Sequence, residues 1–509
     1  MYSITTTAML DGIRTIPVTV EADISTGMPL LELVGFLSPE VREAKERVRT
    51  ALHNSGVTLP AKRITVNLSP GNVKKTGTGF DLPITAALLA AMGLVGEQTA
   101  GRFLFAGELG LNGDILPVNG ILPIVADGKE RGIREFVVPK GNYPEACLIP
   151  EVKIYAFGNL KELMAFFNGE EYRIPEISGH SAGNQTPEAD FSEVNGQRFL
   201  KRACEVAAAG MHNMLMVGPP GAGKTMISER MATILPPLTK QEQMELSKIY
   251  SVCGLLKNEN TLVTRRPFRS PHHTISNIGL TGGGTHPRPG EISLAHCGVL
   301  FLDELTEFQK QTLEVLRQPL EDKEIRLVRS ASSVTYPAQF LLLAAMNPCN
   351  CGYYPDMNRC RCTPGTLRRY ADKISQPLID RIDICVEASA ITYEELTVAT
   401  ENESSSVIRS RVEACQNLQN KRYAAENFTH NSRIPAAKLP QYCPLGTKET
   451  AYMEGIFKKQ SLTARTYHKI LRVARTIADL EQSESIKLHH LTEAVCYRVL
   501  DKGYWGGAT

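Results

Sequence analysis

Three short runs in this chain carry residue types suited to phosphoryl chemistry. The first, GPPGAGKT at 218–225, fits the phosphate-loop pattern G-x-x-x-x-G-K-[ST]. Gly218, Pro219, Pro220, Gly221, Ala222 and Gly223 form a loop whose backbone N–H groups can close around nucleotide phosphates. Lys224 supplies positive charge, and Thr225 supplies a hydroxyl for Mg²⁺. The second run, GVLFLDE at 298–304, places two carboxylates at the end of an apolar stretch. Open parallel sheets bind ligands at the carboxyl ends of their strands. Asp303 is therefore expected to hold Mg²⁺, and Glu304 to orient and activate the attacking water. The third run, FLLLAAMNP at 340–348, is another apolar stretch, ending in the polar Asn347.

A fourth cluster suits different chemistry. Cys349, Cys351, Cys360 and Cys362 form C-x-C-x₈-C-x-C directly after Asn347. Four thiolates match tetrahedral zinc in number and softness, and no ligand position is left open, so the role would be structural. The C-x-C spacing is tighter than the common C-x₂-C knuckle. Free thiols or regulatory disulfides are the alternatives. Gly352, Pro355 and Asn358 suit a loop that turns back, and Arg359, Arg361, Arg368 and Arg369 would offset the thiolate charge. The eight other cysteines are scattered singly, which suits a reducing cytoplasm better than a disulfide scaffold.

The elements around these runs predict an α/β protein of several domains, since 509 residues exceed one hydrophobic core. Residues 1–170 alternate β-rich runs (GIRTIPVTVEA, LLELVGF, KRITVNLS, EFVVPKG) with helices at 39–53, capped by Ser38 and started by Pro39, and at 81–95. Residues 171–190 are polar and aperiodic, a linker. An α/β core over 191–390 needs a strand at 213–217 and a helix at 226–234 flanking the phosphate loop. A helical region, 391–509, ends in an amphipathic run at 462–480 with Leu462, Tyr467, Ile470, Leu471, Ala474, Ile477 and Ala478 on one stripe. The net charge of +2 excludes a molecule that is a nucleic-acid magnet as a whole, so any such binding needs a local basic patch. The N-terminus lacks the basic and apolar regions of a secretory signal, and no stretch reaches the ~18 apolar residues of a membrane span.

Phosphate loop, acidic strand end and strand-terminal Asn, in that order, resemble the AAA+ superfamily. The resemblance implies that Asn347 is the first sensor near the γ-phosphate. It also implies that Arg381 in QPLIDRIDI (376–384) is an arginine finger acting on a neighbouring subunit, and that Arg465 in LTARTYHK is the second sensor, carried by a helical lid. A finger in trans implies a ring, a hexamer in this superfamily. The alternatives are a helix-end salt bridge of Arg381 with Asp380 or Asp383, and a solvated helix face for Arg465. Two inserts narrow the branch. RRPFRSPHHTISNIGLTGGGTHPRPGEISLAH (265–296) precedes the acidic strand. EDKEIRLVRSASSVTYPAQF (321–340) reads as a hairpin with strands at Ile325–Val328 and Val334–Tyr336. Such inserts resemble magnesium-chelatase ATPase subunits and MCM-type helicases. RPFRSPHHTIS, LPPL, LFLDEL, the cysteine cluster and RVARTIADL together resemble the YifB/ComM family over essentially the whole chain. The resemblance implies a DNA-acting ring motor, including branch migration during uptake of transforming DNA. On physical grounds, Arg326 and Arg329 of the hairpin, and Arg269, His272 and His273 of the first insert, are the candidates for gripping a DNA backbone. A packed PHHT turn and a solvated hairpin face are the alternatives.

Residues 63–140 resemble the proteolytic domain of Lon-type proteases, with Gly79 at the serine position and Leu122 at the lysine position. A Ser–Lys dyad needs a hydroxyl and an amine, so the domain is expected to be a non-proteolytic scaffold; Lys74, Thr76 and Thr78 are poor substitutes. The competing functional classes are a chelatase-type protein-remodelling motor, an ATP-dependent protease disfavoured by Gly79 and Leu122, and an ATP-binding adaptor without turnover. The last is at odds with Glu304, Asn347 and Arg381.

Overall fold

The computed structural model describes residues 1–176, 189–256, 261–284, 287–329, 332–389 and 402–498. Most of the expected linker, the segment 391–401 that opens the helical region, and the last eleven residues lie outside this set.

The N-terminal part is a seven-stranded mixed sheet. Its order is Leu30–Val34, Arg63–Ser69, Arg14–Ser25, Tyr2–Asp11, Phe103–Phe105, Glu135–Pro139 and Lys153–Phe157. The first strand, Tyr2–Asp11, precedes the first of the β-rich runs expected from sequence. It pairs antiparallel with Arg14–Ser25 through a tight turn at Gly12, whose φ is +69°. The expected helices form at Pro39–Asn54 and Asp81–Ala91, and every residue of the second is buried. Ser38 does occupy the first helix's N-cap, but its hydroxyl makes no capping bond and is buried without a partner. Tyr172, expected in the linker, instead packs against Tyr155, Phe157 and Phe166.

The core sheet has five strands in the order Phe268–Arg269, Val299–Leu302, Leu341–Met346, Met214–Val217 and Ile384–Glu387, all parallel. Both faces are covered, which is why these strands read as unbroken apolar runs. Met214 and Met216 face one core with Val299 and Phe301; Leu215 and Val217 face the other with Leu300 and Leu302. The first of these cores also contains Ile470, Leu471, Ala474, Ile477 and Ala478 from the helix Ala464–Leu480. The amphipathic stripe therefore seats the C-terminal helices on the nucleotide sheet.

The N-terminal part docks on the core through the helices Ile121–Glu130 and Lys240–Val252. Lys248 Nζ lies 2.8 Å from Asp127 Oδ1, and the Gly120 N–H donates to the Ser251 carbonyl at 3.1 Å.

Candidate nucleotide and cysteine sites

The phosphate loop leaves the strand Met214–Val217 and enters the helix Lys224–Arg230. Gly218 has to be glycine: a Cβ there would stand 2.2 Å from the Ala388 carbonyl oxygen. Lys224 is 8% exposed. Its ammonium donates to the carbonyls of Gly218 at 2.7 Å and Pro219 at 2.9 Å, and to Asn347 Oδ1 at 3.3 Å. Burial pulls this amine below the usual lysine range, while Asp303 and Glu304 oppose the shift.

Loop and acidic strand meet because their strands flank Leu341–Met346 and end at the same sheet edge. The Thr225 hydroxyl donates to Asp303 Oδ2 at 2.8 Å. These two hard oxygens, beside a phosphate cradle, fit Mg²⁺. Glu304 has φ +50° and ψ +48°, a left-handed conformation costly for a residue with a Cβ. Its N–H donates to Asp303 Oδ1 at 2.9 Å, and its carbonyl accepts from the Glu307 N–H at 2.7 Å. Asn347 is tied to this loop by a residue the sequence did not flag. Tyr370 donates to the Asn347 carbonyl at 3.1 Å and accepts from the Thr306 hydroxyl at 2.9 Å.

Arg381 and Arg465 stand elsewhere. Arg381 lies three residues before the strand Ile384–Glu387, at the edge where the sheet's strands begin. The phosphate loop follows the adjacent strand at the edge where they end. Four strand residues span roughly 13 Å, so the two ends of the sheet are held apart. Arg381 donates to the Pro377 carbonyl at 2.6 Å and pairs with Glu321, not with Asp380 or Asp383; its Nε is buried without a partner. Arg465, 73% exposed, lies 3.2 Å from Asp380, which neighbours Arg381 in sequence. The structure thus groups Arg465 with Arg381 rather than with Lys224.

The residues expected at a DNA surface stand in different surroundings within the inserts. Arg269 makes a two-pronged contact with Glu291, both bonds 2.7 Å, so a carboxylate inside the insert already satisfies its guanidinium. His273 approaches Glu304, with Nδ1 3.5 Å from Oε2, and its ring meets that of His272 at 4.0 Å between centroids, tilted by 34°. His272, which is exposed, bonds within its own turn to Thr274 at 2.9 Å. The hairpin forms as Glu324–Arg329 against Ser332–Pro337. Ile325, Val334 and Tyr336 anchor it, while Arg326 and Val328 are exposed. Among the described residues, Arg326 pairs with Glu324 on its own strand, Nε to Oε1 at 2.6 Å. The Arg329 side chain lies outside the described residues.

The four cysteines converge. Cys349 and Cys351 sulfurs are 3.3 Å apart, Cys349 and Cys360 3.8 Å, Cys351 and Cys360 3.6 Å, and Cys351 and Cys362 3.6 Å; all four lie within 4.8 Å of one another. Zinc–sulfur bonds of about 2.3 Å in a tetrahedron give sulfur–sulfur edges of about 3.8 Å, so the donor set fits the ion. The Tyr353 backbone N–H, and next the Cys349 thiol, bring the Cys351 thiol down to about 6. This loop touches the phosphate loop: a Cβ on Gly352, φ +85°, would be 2.7 Å from Pro220 Cδ.

At the protease-like positions, Gly79 carries no side chain and Leu122 is fully buried among apolar residues. Thr78 donates to Glu108, Thr76 faces the Met9 sulfur at 4.0 Å, and Lys74 lies over Phe36. None of these forms a hydroxyl–amine pair.

The comparisons with known proteins agree with this anatomy. The family described as magnesium chelatase, subunit ChlI, matches residues 190–396. Its C-terminal counterpart matches 402–498, and a further family, subunit ChlI of Mg-chelatase, matches 20–142. The protein YifB of Salmonella typhimurium, uncharacterized, is 40% identical over 495 residues, 96% of each chain. Competence protein ComM of Haemophilus influenzae is 39% identical over 497 residues, again 96% of each. A Lon protease of Mycolicibacterium smegmatis is 28% identical over 137 residues, 26% of this chain and 17% of the protease. A phosphate-loop sheet with its acidic strand, a C-terminal helical region and an N-terminal part distantly similar to Lon place the chain in the YifB/ComM family of magnesium-chelatase-like AAA+ ATPases.

Proposed function

We propose that the protein is a ring-forming motor that hydrolyses ATP to move along or remodel DNA. The observation that carries this reading is the placement of Arg381 and Arg465 at the sheet edge opposite their own phosphate loop. A guanidinium there serves a nucleotide only if that nucleotide belongs to a neighbouring copy, so a complete site needs two subunits.

Lys224 and the loop N–H groups bind the phosphates, and Thr225 and Asp303 hold Mg²⁺. Bound Mg²⁺ supplies charge that offsets the phosphate oxygens. Glu304 orients the attacking water and accepts its proton, and Asn347 places that water. Arg381 of the neighbouring copy stabilises charge on the transferring group, and Arg465 joins it from the same edge. A structural zinc on Cys349, Cys351, Cys360 and Cys362 would brace the loop beside Pro220.

DNA as the substrate rests on the exposed Arg326 at the hairpin and on the name of the Haemophilus influenzae relative, a competence protein. Protein remodelling is the second reading, favoured by the three chelatase-subunit matches. ATPase rates with single-stranded, double-stranded and forked DNA separate the two. The DNA motor requires stimulation that weakens with salt, and the Arg326→Ala variant should lose about one unit of the salt slope. A rate indifferent to every DNA selects protein remodelling.

A further inference from the structure

Gly12 lies in the first turn of the N-terminal sheet, far from the insert hairpin in sequence, yet the two touch. The strands Tyr2–Asp11 and Arg14–Ser25 close with Asp11 opposite Arg14, which leaves Gly12–Ile13 as a two-residue loop. Gly12 has φ +69°, and Ile13 stays out of the left-handed region. A positive φ at the first loop position alone is the type II′ turn, which favours glycine there. The same glycine is also a contact. A Cβ on Gly12 would stand 2.8 Å from the Thr335 carbonyl oxygen and 3.1 Å from Val334 Cγ1. Thr335 is the cross-strand partner of Arg326, and Val334 of Leu327. The turn therefore backs the hairpin at the level of its exposed arginine.

The turn is itself anchored to the motor. Three residues after Gly12, Thr15 donates to Asp127 Oδ2, from its N–H at 2.7 Å and from its hydroxyl at 3.0 Å. The other Asp127 oxygen takes the Lys248 ammonium at 2.8 Å. Lys248 belongs to Lys240–Val252, the helix that follows the phosphate-loop helix and its short continuation Met231–Ile234. Ser251 of the same helix donates to Glu145. Just beyond the helix end, a Cβ on Gly254 would stand 2.7 Å from Asn119 Oδ1, and Leu256 is buried in a core of the N-terminal part. Asp127 is 8% exposed, so salt screens its ion pair little. One body thus grips both the hairpin and the helix that leaves the phosphate loop. On the hairpin's other contact, Tyr336 donates to the Pro287 carbonyl of the first insert at 2.8 Å.

We propose that the N-terminal domain is an internal brace of the motor: Gly12 seats the insert hairpin, and Asp127 with Lys248 ties that seat to the helix after the phosphate loop. Gly12, Asp127 and Lys248 are positioning residues, and the placement of Arg326 depends on them. Lys248, Asp127, Thr15, Gly12 and Thr335 form a continuous path of packed and hydrogen-bonded groups, so a shift of the helix Lys240–Val252 reaches the hairpin. The domain that lacks a hydroxyl–amine pair has a mechanical role instead. The brace follows from the fold, while the DNA that the hairpin meets rests on the function proposed above.

The test uses the full chain and the variants Gly12→Ala, Lys248→Met and Gly56→Ala. Gly56 has φ +92° in the same domain, and a Cβ there meets nothing within 4 Å, so Gly56→Ala carries the backbone strain without a contact. Amide hydrogen exchange over 324–337 is followed by mass spectrometry, alongside the Kd for single-stranded DNA and for ATP. Relative to Gly56→Ala, Gly12→Ala should speed exchange of the hairpin about three- to ten-fold. Lys248→Met, which alters no hairpin residue, should speed the same amides by a smaller factor. The Kd for DNA should rise about two- to ten-fold in Gly12→Ala, and the Kd for ATP should stay within about twofold of wild type. Hairpin exchange in either variant no faster than in Gly56→Ala overturns the brace. Should Gly12→Ala fail to fold, Lys248→Met against Gly56→Ala decides alone. Faster hairpin exchange with an unchanged Kd for DNA upholds the brace and removes the hairpin from DNA binding. A wild type that binds no DNA sinks the DNA reading, and hydrogen exchange still decides the brace.

Discussion

The contact between the cysteine loop and the phosphate loop makes a quantitative prediction about ATP affinity. Gly352 has φ +85°, and a Cβ there would come 2.7 Å from Pro220 Cδ and 3.1 Å from Pro220 Cγ. Alanine in this conformation costs about 1–2 kcal/mol, and relief to an ordinary contact of about 3.5 Å requires a shift of about 0.8 Å. Pro220 sits between Pro219 and Gly221 in the phosphate cradle, so much of that shift falls on the loop. N–H···O bonds operate over a window of about 0.5 Å, so at least one backbone N–H should leave the phosphates. Loss of one hydrogen bond to a charged group is worth about 1.5–3 kcal/mol, a Kd for ATP about ten- to one-hundred-fold weaker in Gly352→Ala. Titration with a fluorescent ATP analogue measures this. Pro220→Ala removes Cγ and Cδ, so the double variant should regain much of the lost affinity relative to Gly352→Ala, with Pro220→Ala alone closing the cycle. A Kd in Gly352→Ala within about twofold of wild type (~0.4 kcal/mol), or a double variant no tighter than Gly352→Ala, refutes the coupling between the loops.

Glu304→Gln should bind ATP like wild type and fail to turn it over, read by nucleotide titration and phosphate release; full turnover would remove Glu304 from its role. Arg381→Ala and Lys224→Ala subunits, each inactive alone, should recover part of the ATPase when mixed, because one intact site can form at mixed interfaces. No recovery in rings shown to be mixed contradicts action in trans. Protein purified without chelator should carry about one zinc per chain. In the native state Cys147 and Cys496 are exposed and should react first with a thiol reagent, and chelation should add the four cluster thiols. Less than roughly a tenth of an equivalent of zinc, with all four cluster thiols reacting freely before chelation, discards the site. Purified protein should not cleave casein with or without ATP; contaminant-free cleavage would reopen the protease class.

The chemistry that local pattern dictates is legible in the chain alone. Apolar runs bounded by Gly-rich or acidic ends became parallel strands with the phosphate loop, Asp303 and Asn347 at one sheet edge. Strand, loop and helix are consecutive in the chain, and their residue types are chosen by the backbone they must adopt. The stripe in 462–480 and the hairpin at 324–337 were legible for the same reason: their periodicity reflects burial on one face. The four cysteines were countable, but whether they converge was not, since the loop between them must fold back. Pairings between distant segments emerge from packing. Arg269 was claimed by Glu291, Arg381 by Glu321 rather than by its neighbours Asp380 and Asp383, and Arg465 by Asp380. His273 was drawn to Glu304 by parallel register, and Tyr370 to Asn347 across 23 residues. A charged or aromatic side chain has many partners of suitable type in the chain. The selection among them follows from which strand edges and helix ends the packed cores bring within a few ångströms, and that distance is not encoded in any short stretch of sequence.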